Sequence, residues 1–378
     1  MHDTTRNEQL IRLRERYARR SKAGKSQVLD ELCAEFGYSR KHAIKLLNAT
    51  LARPSGRPKP GPPPRYQPVS EVVGTIWRAA EQLCGKRLVA ALPLWLPHYT
   101  RHYGKLLPTQ KKLLGEISAA TLDRLLATHK VHHGQSGTKP GSLLRTQIAL
   151  STDAWDQEQP GYLEVDSVAH CGGSLAGDFL WSLTFTDIPS AWTEGRATFN
   201  KGAAGVLEQT RDVEAALPFP LLGVDSDNGS EFLNHHFLRY LQQRPAPVRY
   251  TRSRPYHKDD NAHVEQKNWM WPRQLLGYGR LGDPAQVGPV NALYKEVWGP
   301  LQNFFLPSMK LVNKERVGSR WVREHDRPQT AYQRLLAWGG LATKEARRLH
   351  DRYASLDPFA LAQETDRRLR PILKGVQA

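Results

Sequence analysis

A chain of 378 residues that is 39% hydrophobic and carries 10 tryptophans has the material for packed cores, so it is not a disordered chain, and its length fits about two to four structural units. Its formal net charge of +17 and pI near 9.8 favour a polyanionic partner, most often nucleic acid. The three cysteines, Cys33, Cys84 and Cys171, form no CxxC pair, which excludes a zinc ribbon or finger and fits a reducing cytoplasm, while no apolar run reaches the ~18 residues of a membrane span and the polar start MHDTTRNEQL does not read as a signal peptide.

The charge is unevenly spread. Residues 1–65 carry 15 Lys/Arg against 6 Asp/Glu, residues 151–276 carry 11 against 17, and the remainder 28 against 14. An acidic centre between basic flanks suits a protein that holds cations against DNA, and a passive DNA coat has no need of it.

Taken in chain order, KSQVLDELCAEFGYSRKHAIKLLNA predicts two helices. Val28, Leu29, Leu32 and Phe36 recur at helical spacing, Gly37 ends the first helix and Ser39 caps the second. The second helix carries Arg40, Lys41, His42 and Lys45. An ordinary helical hairpin and a helix-turn-helix both fit this pattern, and the local charge favours the DNA-binding form, with Arg40, Lys41 and Lys45 as phosphate or base contacts. RPSGRPKPGPPPRY then reads as an extended basic linker whose Arg57 and Lys59 suit phosphate contacts or a solvated spacer. Helical periodicity returns over 69–130. KKLLGEISAATLDRLLATHK repeats the helix–turn–helix grammar, with Gly115 as the turn, Ser118 as N-cap and a candidate reading helix from Ala119; a plain helical bundle fits as well. His132 and His133 follow in a loop with no partner ligands.

The pattern then changes. PGYLEVDSVAH, DFLWSLTFTDIPSAW and TEGRATFN read as strands, KGAAGVLEQTRDVEAAL as a helix, PFPLLGVDSD as a short buried strand, SEFLNHHFLRYLQQ as a helix, APVRYTRS as a strand and NAHVEQKNWMW as a helix. The order β-β-β-α-β-α-β-α predicts a mixed sheet flanked by helices. Residues 277–378 read as mixed and basic, with KEARRLHDRYASLDPFALAQETDRRLRPIL helical.

Three acids stand out in the acidic centre: Asp166 inside the first strand, Asp227 just after the fourth, and Glu265 on the helix after the fifth. Aspartate is disfavoured in strands, which asks for a reason at position 166. Hard cations such as Mg²⁺ take carboxylate oxygens, and two such ions about 4 Å apart can activate a nucleophile and stabilise a leaving oxygen.

The segments LEVDSVAH, FTDIPSAW, SDNGSEF and NAHVEQKN, in this order, resemble the catalytic core of DDE transposases and retroviral-type integrases. The resemblance covers roughly a third of the chain, residues 160–276, and departs from the family in the 37 residues between Asp227 and Glu265, a slightly long spacing assigned to the RSRPYHKDDN loop. It implies an α/β ribonuclease-H-like core with a mixed five-stranded sheet, preceded by helix-turn-helix modules as in bacterial insertion-sequence transposases. It implies catalytic, metal-binding roles for Asp166, Asp227 and Glu265, two Mg²⁺ ions with Mn²⁺ able to substitute, and double-stranded DNA at element ends and target as partner. Joining two DNA ends calls for a homo-oligomer, and the sparse cysteines and the lack of a long apolar run lead to the expectation of a bacterial cytoplasmic, nucleoid-associated protein without membrane association.

The expected organisation is a helix-turn-helix over 1–52, a linker over 53–68, a second helical DNA-binding module over 69–135, a connector over 136–159, the core over 160–276 and a basic region over 277–378 that binds target DNA or builds the multimer. Arg252, Arg254, His257 and Lys258, around the loop before the last helix, and Lys267 on that helix are candidate DNA contacts; a solvated face suits Lys267 equally. Asp225 is read as structural, ordering a loop, with transient metal contact as the alternative. Asp187, His170 and Cys171 are read as supporting or packing residues, Asn261 as a helix cap, and His263 as lying on another helix face than Glu265. Pro272 is expected to kink or end that helix. A metal-dependent nuclease without joining activity and a DNA-binding regulator with an inactive core are the competing functional readings.

Overall fold

The computed structural model of the chain describes residues 13–14, 16–48, 64–127, 159–226, 231–232, 234–252, 269–317, 320–374 and 376. By contact the chain divides into two units, Met1–Pro64 and Arg65–Ala378, each with its own apolar core.

In the first unit, helix α1 (Lys22–Phe36) and helix α2 (Arg40–Asn48) bury Val28, Leu29, Leu32, Ala43 and Leu47 against each other. Gly37 takes the left-handed backbone, φ +65°, and its amide closes the end of α1 on the Cys33 carbonyl at 3.0 Å. The Ser39 hydroxyl oxygen accepts the His42 amide at 3.3 Å, so both ends of the turn lie where the sequence puts them.

Helices α3 (Ser70–Ala79), α4 (Gly85–Tyr103), α5 (Pro108–Glu116) and α6 (Ala119–Leu126) open the second unit. Gly115, expected as the turn before α6, lies inside α5. The chain turns instead at Ile117, whose buried side chain draws the backbone into extended geometry, and Ser118 then caps α6 by accepting the Thr121 amide at 3.2 Å. Trp95 Nε1 donates to the Phe305 carbonyl at 3.0 Å and Arg87 Nε to the Pro307 carbonyl at 2.6 Å. Residues expected over 69–135, 160–276 and 277–378 therefore share one hydrophobic core.

The sheet comprises β1 (Tyr162–Ala169), β2 (Leu180–Asp187), β3 (Thr193–Phe199), β4 (Gly223–Ser226) and β5 (Arg249–Arg252), in the order β3-β2-β1-β4-β5. β1, β2 and β3 pair antiparallel, and β4 pairs parallel with both β1 and β5. Helix α7 (Ala203–Ala216) packs on β3 and helix α8 (His235–Gln242) on β5 and α7. A mixed five-stranded sheet with flanking helices is the architecture expected of a ribonuclease-H-like core. The helix predicted from Glu231 begins later, at His235, because Asn234 is the stronger cap: its side-chain oxygen accepts the Phe237 amide at 2.9 Å.

The outer edge of β3 is sealed by a helix. Helix α9 (Val287–Leu293) runs on through π-helical turns at Tyr294–Trp298 and Leu301–Phe305. From it, Asn291 exchanges two hydrogen bonds with the Ala197 backbone, at 2.7 and 2.9 Å, and Asn303 two with the Thr193 backbone, at 3.0 and 2.8 Å. Positions this far apart in a regular α-helix of about 3.6 residues per turn would point about 120° away from one another. The wider π turns rephase the helix so that both amides meet one strand edge.

The chain continues through a hairpin, β6 (Leu311–Val317) and β7 (Arg320–His325), and helices α10 (Ala331–Trp338), α11 (Thr343–Ser355) and α12 (Pro358–Leu373). The last predicted helical run is broken at Leu356 and Asp357, where Asp357 caps α12 ahead of Pro358 by accepting the Phe359 and Ala360 amides. Among the described residues no helix is long and apolar enough to cross a membrane.

Asn303 is buried, so replacing it by leucine strands the Thr193 amide and carbonyl at about 1–3 kcal/mol each. Urea unfolding of Asn303→Leu should show a stability loss of about 2–4 kcal/mol; a loss below about 0.5 kcal/mol would mean that the clasp contributes nothing beyond packing.

Candidate active site

Asp166 lies mid-strand in β1, half-buried, paired in register with Thr184 of β2, which in turn pairs with Gly195 of β3. Its Oδ1 accepts the Ser167 amide at 2.7 Å. Parallel pairing of β1 with β4 is described as far as Val165 and Ser226, so Asp166 sits one residue beyond that last pair. Alternation along β1 puts Glu164 on the same sheet face as Asp166, and register puts Asp225 opposite Glu164. Both are buried. The Thr251 hydroxyl donates to Asp225 Oδ1 at 2.5 Å, which ties β4 to β5 and fits the structural reading of this acid. Glu164 was missed, although the alternation of YLEVDS carries the signal.

Asp227 and Glu265 lie outside the described residues, as do Arg57, Lys59, Arg254, His257, Lys258, Lys267, His132, His133, Asn261 and His263. Among the described residues no group of three His, Cys, Asp or Glu side chains is arranged to hold a metal ion. The chain downstream of Glu265 is described from Trp269. Trp269–Arg273, which contains Pro272, is a π-helical turn followed by Gln274–Leu276 and ended at Gly277, φ +74°. Proline here widens the helix before it stops.

Trp271 in this turn is buried against Gly195: a Cβ at position 195 would lie 2.9 Å from the indole Cε3 and 3.2 Å from Tyr294 Cγ. Gly195 stands in the cross-strand row Asp166–Thr184–Gly195, so Trp271 docks on the face that carries Asp166. Nothing in the sequence singled out Gly195.

The neighbours read as packing residues are so placed. His170 is fully buried, its Nε2 2.8 Å from Ser182 Oγ, which lies 2.8 Å from the Tyr294 hydroxyl. Burial, helped by the nearby Arg273 charge, pushes His170 down to about 3. Cys171 Sγ contacts only the Gly172 carbonyl, at 3.5 Å, in the hydrogen bonds described. Asp187 is buried at the turn between β2 and β3, accepting the Gly161 amide at 2.7 Å, the Ser190 amide at 2.9 Å and the Ser190 hydroxyl at 2.5 Å. Burial raises it to about 6 against those hydrogen bonds. Its register partner is Leu163, away from Asp166 along β1.

Glu231, predicted to start a helix, is instead a buried turn residue. The Ser167 hydroxyl donates to its Oε1 at 2.7 Å, and the Lys201 ammonium lies 3.4 Å from its Oε2 and 4.8 Å from the Trp181 ring centroid. In the first unit, Arg40 is ion-paired with Asp30 and donates to Ser26 Oγ at 2.6 Å, which binds α2 to α1; Lys41 and Lys45 are exposed on α2. Arg252 ends β5 opposite Ser226.

No family model matches the chain. It is 38% identical over 338 residues to the uncharacterized protein y4rM of Sinorhizobium fredii (strain NBRC 101917 / NGR234), a match covering 86% of this chain and 93% of that protein. Among solved structures it is similar to a chain of the simian T-cell lymphotropic virus intasome in complex with the PP2A regulatory subunit B56 gamma, at 15% identity and TM-score 0.29 over 48% of this chain and 59% of that one. It is also similar to the catalytic core domain of BIV integrase, at 17% identity and TM-score 0.21 over 28% and 62%. The chain thus spans about three fifths of the length of these two solved chains.

A histidine depressed by burial leaves the folded state short of a proton that the unfolded chain takes up below its ordinary value of 6.5. Stability conferred by neutral His170 is complete above 6.5 and is lost as pH falls toward about 3. Between pH 7 and pH 5 the native protein should lose about 2 kcal/mol more than His170→Gln in urea unfolding; equal losses would show that His170 is not the group refusing the proton.

Proposed function

The chain belongs to one family with the rhizobial protein y4rM, and we propose that it is a DNA transposase: a polynucleotidyl transferase that binds the terminal inverted repeats of an insertion sequence, cuts at the element's 3′ ends and joins them to target DNA. The observation that carries this reading is the docking of Trp271 over Gly195, in the cross-strand row of Asp166. It sets Trp271, six residues after Glu265 in sequence, on the Asp166 face. β4 ends its described pairing beside Val165, immediately before Asp227 in sequence. Strand order reverses between β1 and β4, and ligands of open α/β sheets bind at the carboxyl ends of strands at such a reversal.

Asp166, Asp227 and Glu265 offer only carboxylate oxygens, the donor chemistry that Mg²⁺ takes, and these three residues would hold two Mg²⁺ ions, with Mn²⁺ as a substitute. When bound, the ions activate the attacking oxygen and stabilise the leaving one. The Ser167 amide orients the Asp166 carboxylate. In the first step a water oxygen attacks the phosphorus at the element's end and the element's 3′ oxygen leaves. In the second that 3′ oxygen attacks a target phosphodiester and displaces the target's own 3′ oxygen.

The remaining roles are positional. The exposed Lys41 and Lys45 of α2 bind the element's ends. Arg57 and Lys59 of the linker contact DNA phosphates, and Arg252, Arg254, His257, Lys258 and Lys267 contact phosphates at the DNA end. Arg40, exposed on α2 and also paired with Asp30, is a further contact to the element's ends. Two ends must be joined in one event, so the working form is a homo-oligomer on DNA, which the basic region over 277–378 helps to build or to seat on its target.

In cells given a marker flanked by the native DNA ends, the wild-type gene should move the marker and Asp227→Asn should not, while the variant protein still binds those ends. Transposition by Asp227→Asn at the wild-type rate would remove that residue from the site; binding without movement by both proteins would favour the regulator reading.

A further inference from the structure

We infer that Glu231 is a positioning residue, a buried brace that fixes the Asp166 carboxylate through Ser167; this rests on Asp166 being a metal ligand. The contacts form a chain. The Ser167 amide donates to Asp166 Oδ1 at 2.7 Å, and the Ser167 hydroxyl donates to Glu231 Oε1, also at 2.7 Å. Side chains at 166 and 167 leave the strand on opposite faces, so one serine reaches the acid with its backbone and the brace with its side chain. Glu231 is held at its other end too: its carbonyl accepts the Asn234 side-chain amide at 2.8 Å, and Asn234 caps α8.

Stability alone does not account for this carboxylate. Glu231 is 3% exposed, its Oε2 has no hydrogen-bond partner among the described residues, and its counter-charge, Lys201 at 3.4 Å, has a side chain 43% exposed to water. Half-compensated burial of this kind is often improved by an apolar replacement. What an apolar residue cannot do is accept the Ser167 proton. A glutamate offers acceptors only, so the hydroxyl must point away from Asp166 and toward Glu231. Glu231 is also four residues after Asp227 in the chain. A single side chain therefore ties the strand of the first acid to the segment that follows the second. Groups that orient metal ligands are worth about 10–100-fold in metal affinity.

The test is Mn²⁺ binding by the full-length protein, read from the free-ion paramagnetic resonance signal, with thermal melting and DNA-end binding measured on the same samples. Wild type should bind and Asp166→Asn should bind far more weakly. Glu231→Ala and Ser167→Ala should each weaken Mn²⁺ binding by about 10–100-fold with end binding unchanged, and Ser167→Thr, which keeps the hydroxyl, should restore it. Ser167→Ala removes a single oxygen and keeps the test open if Glu231→Ala does not fold. If Asp166→Asn is weakened while both alanine variants bind as wild type does, the brace is overturned and the metal reading stands. If Asp166→Asn itself binds as wild type does, the metal reading falls and takes the brace with it.

Discussion

The parallel pairing of β1 with β4 is the constraint on which the second unit depends. Antiparallel neighbours can be joined directly by loops, as β1, β2 and β3 are through residues 170–179 and 188–192, but a parallel neighbour requires the chain to leave the sheet and return. It does so through α7, and it returns beside β1 rather than beside β3. Strand order therefore reverses at β1, which becomes a central strand with pairing on both sides. β4 is described as far as Ser226, paired with Val165, and β1 runs on through Asp166 to Ala169. Asp166 therefore lies one residue beyond the last described β1–β4 pair, beside the reversal of strand order.

The rest of the unit secures that part of the sheet. Leaving β3 at the outside exposes a row of backbone groups, and the Asn291 and Asn303 amides seal it from α9 and its π turns. The same helix brings Tyr294 and its hydroxyl to Ser182 and His170, and leaves room beside Gly195 for Trp271. On the opposite face, Arg196 of β3 is buried between Glu194, at 3.0 Å, and Asp212 of α7, at 2.5 Å, and Lys295 reaches the same Asp212 at 2.9 Å. Polar groups thus fix both surfaces of the edge strand, which holds the row running from Gly195 to Asp166 in register.

Much of this was legible in the sequence because local signals and tertiary fold agree. Gly37 and Ser39 mark a turn that needs a left-handed residue and a cap, and both are used. The five strands follow from alternation and from short apolar runs, and Asp166 stands out because aspartate is disfavoured mid-strand. Failures arose where a distant contact overrode a local preference. Gly115 has turn character, but the burial of Ile117 moves the turn. Glu231 suits a first helical turn, but Ser167 lies 64 positions away in the chain and holds it in a buried loop. Gly195 looks like an ordinary strand glycine until Trp271 is seen above it. The helical stretch over 69–126 reads as self-contained, and nothing local in it announces the Trp95 and Arg87 bonds to the backbone near residue 306.

The central claim is that the site around Asp166 joins DNA strands. The most direct measurement mixes purified protein, Mg²⁺, a labelled duplex carrying the element's end and a supercoiled plasmid, and follows covalent transfer of the label to the plasmid. The account predicts that wild type joins the 3′ end to the plasmid and that Asp166→Asn binds the duplex without joining it. Cleavage with no joined product by wild type, or joining by Asp166→Asn at the wild-type level, would contradict it.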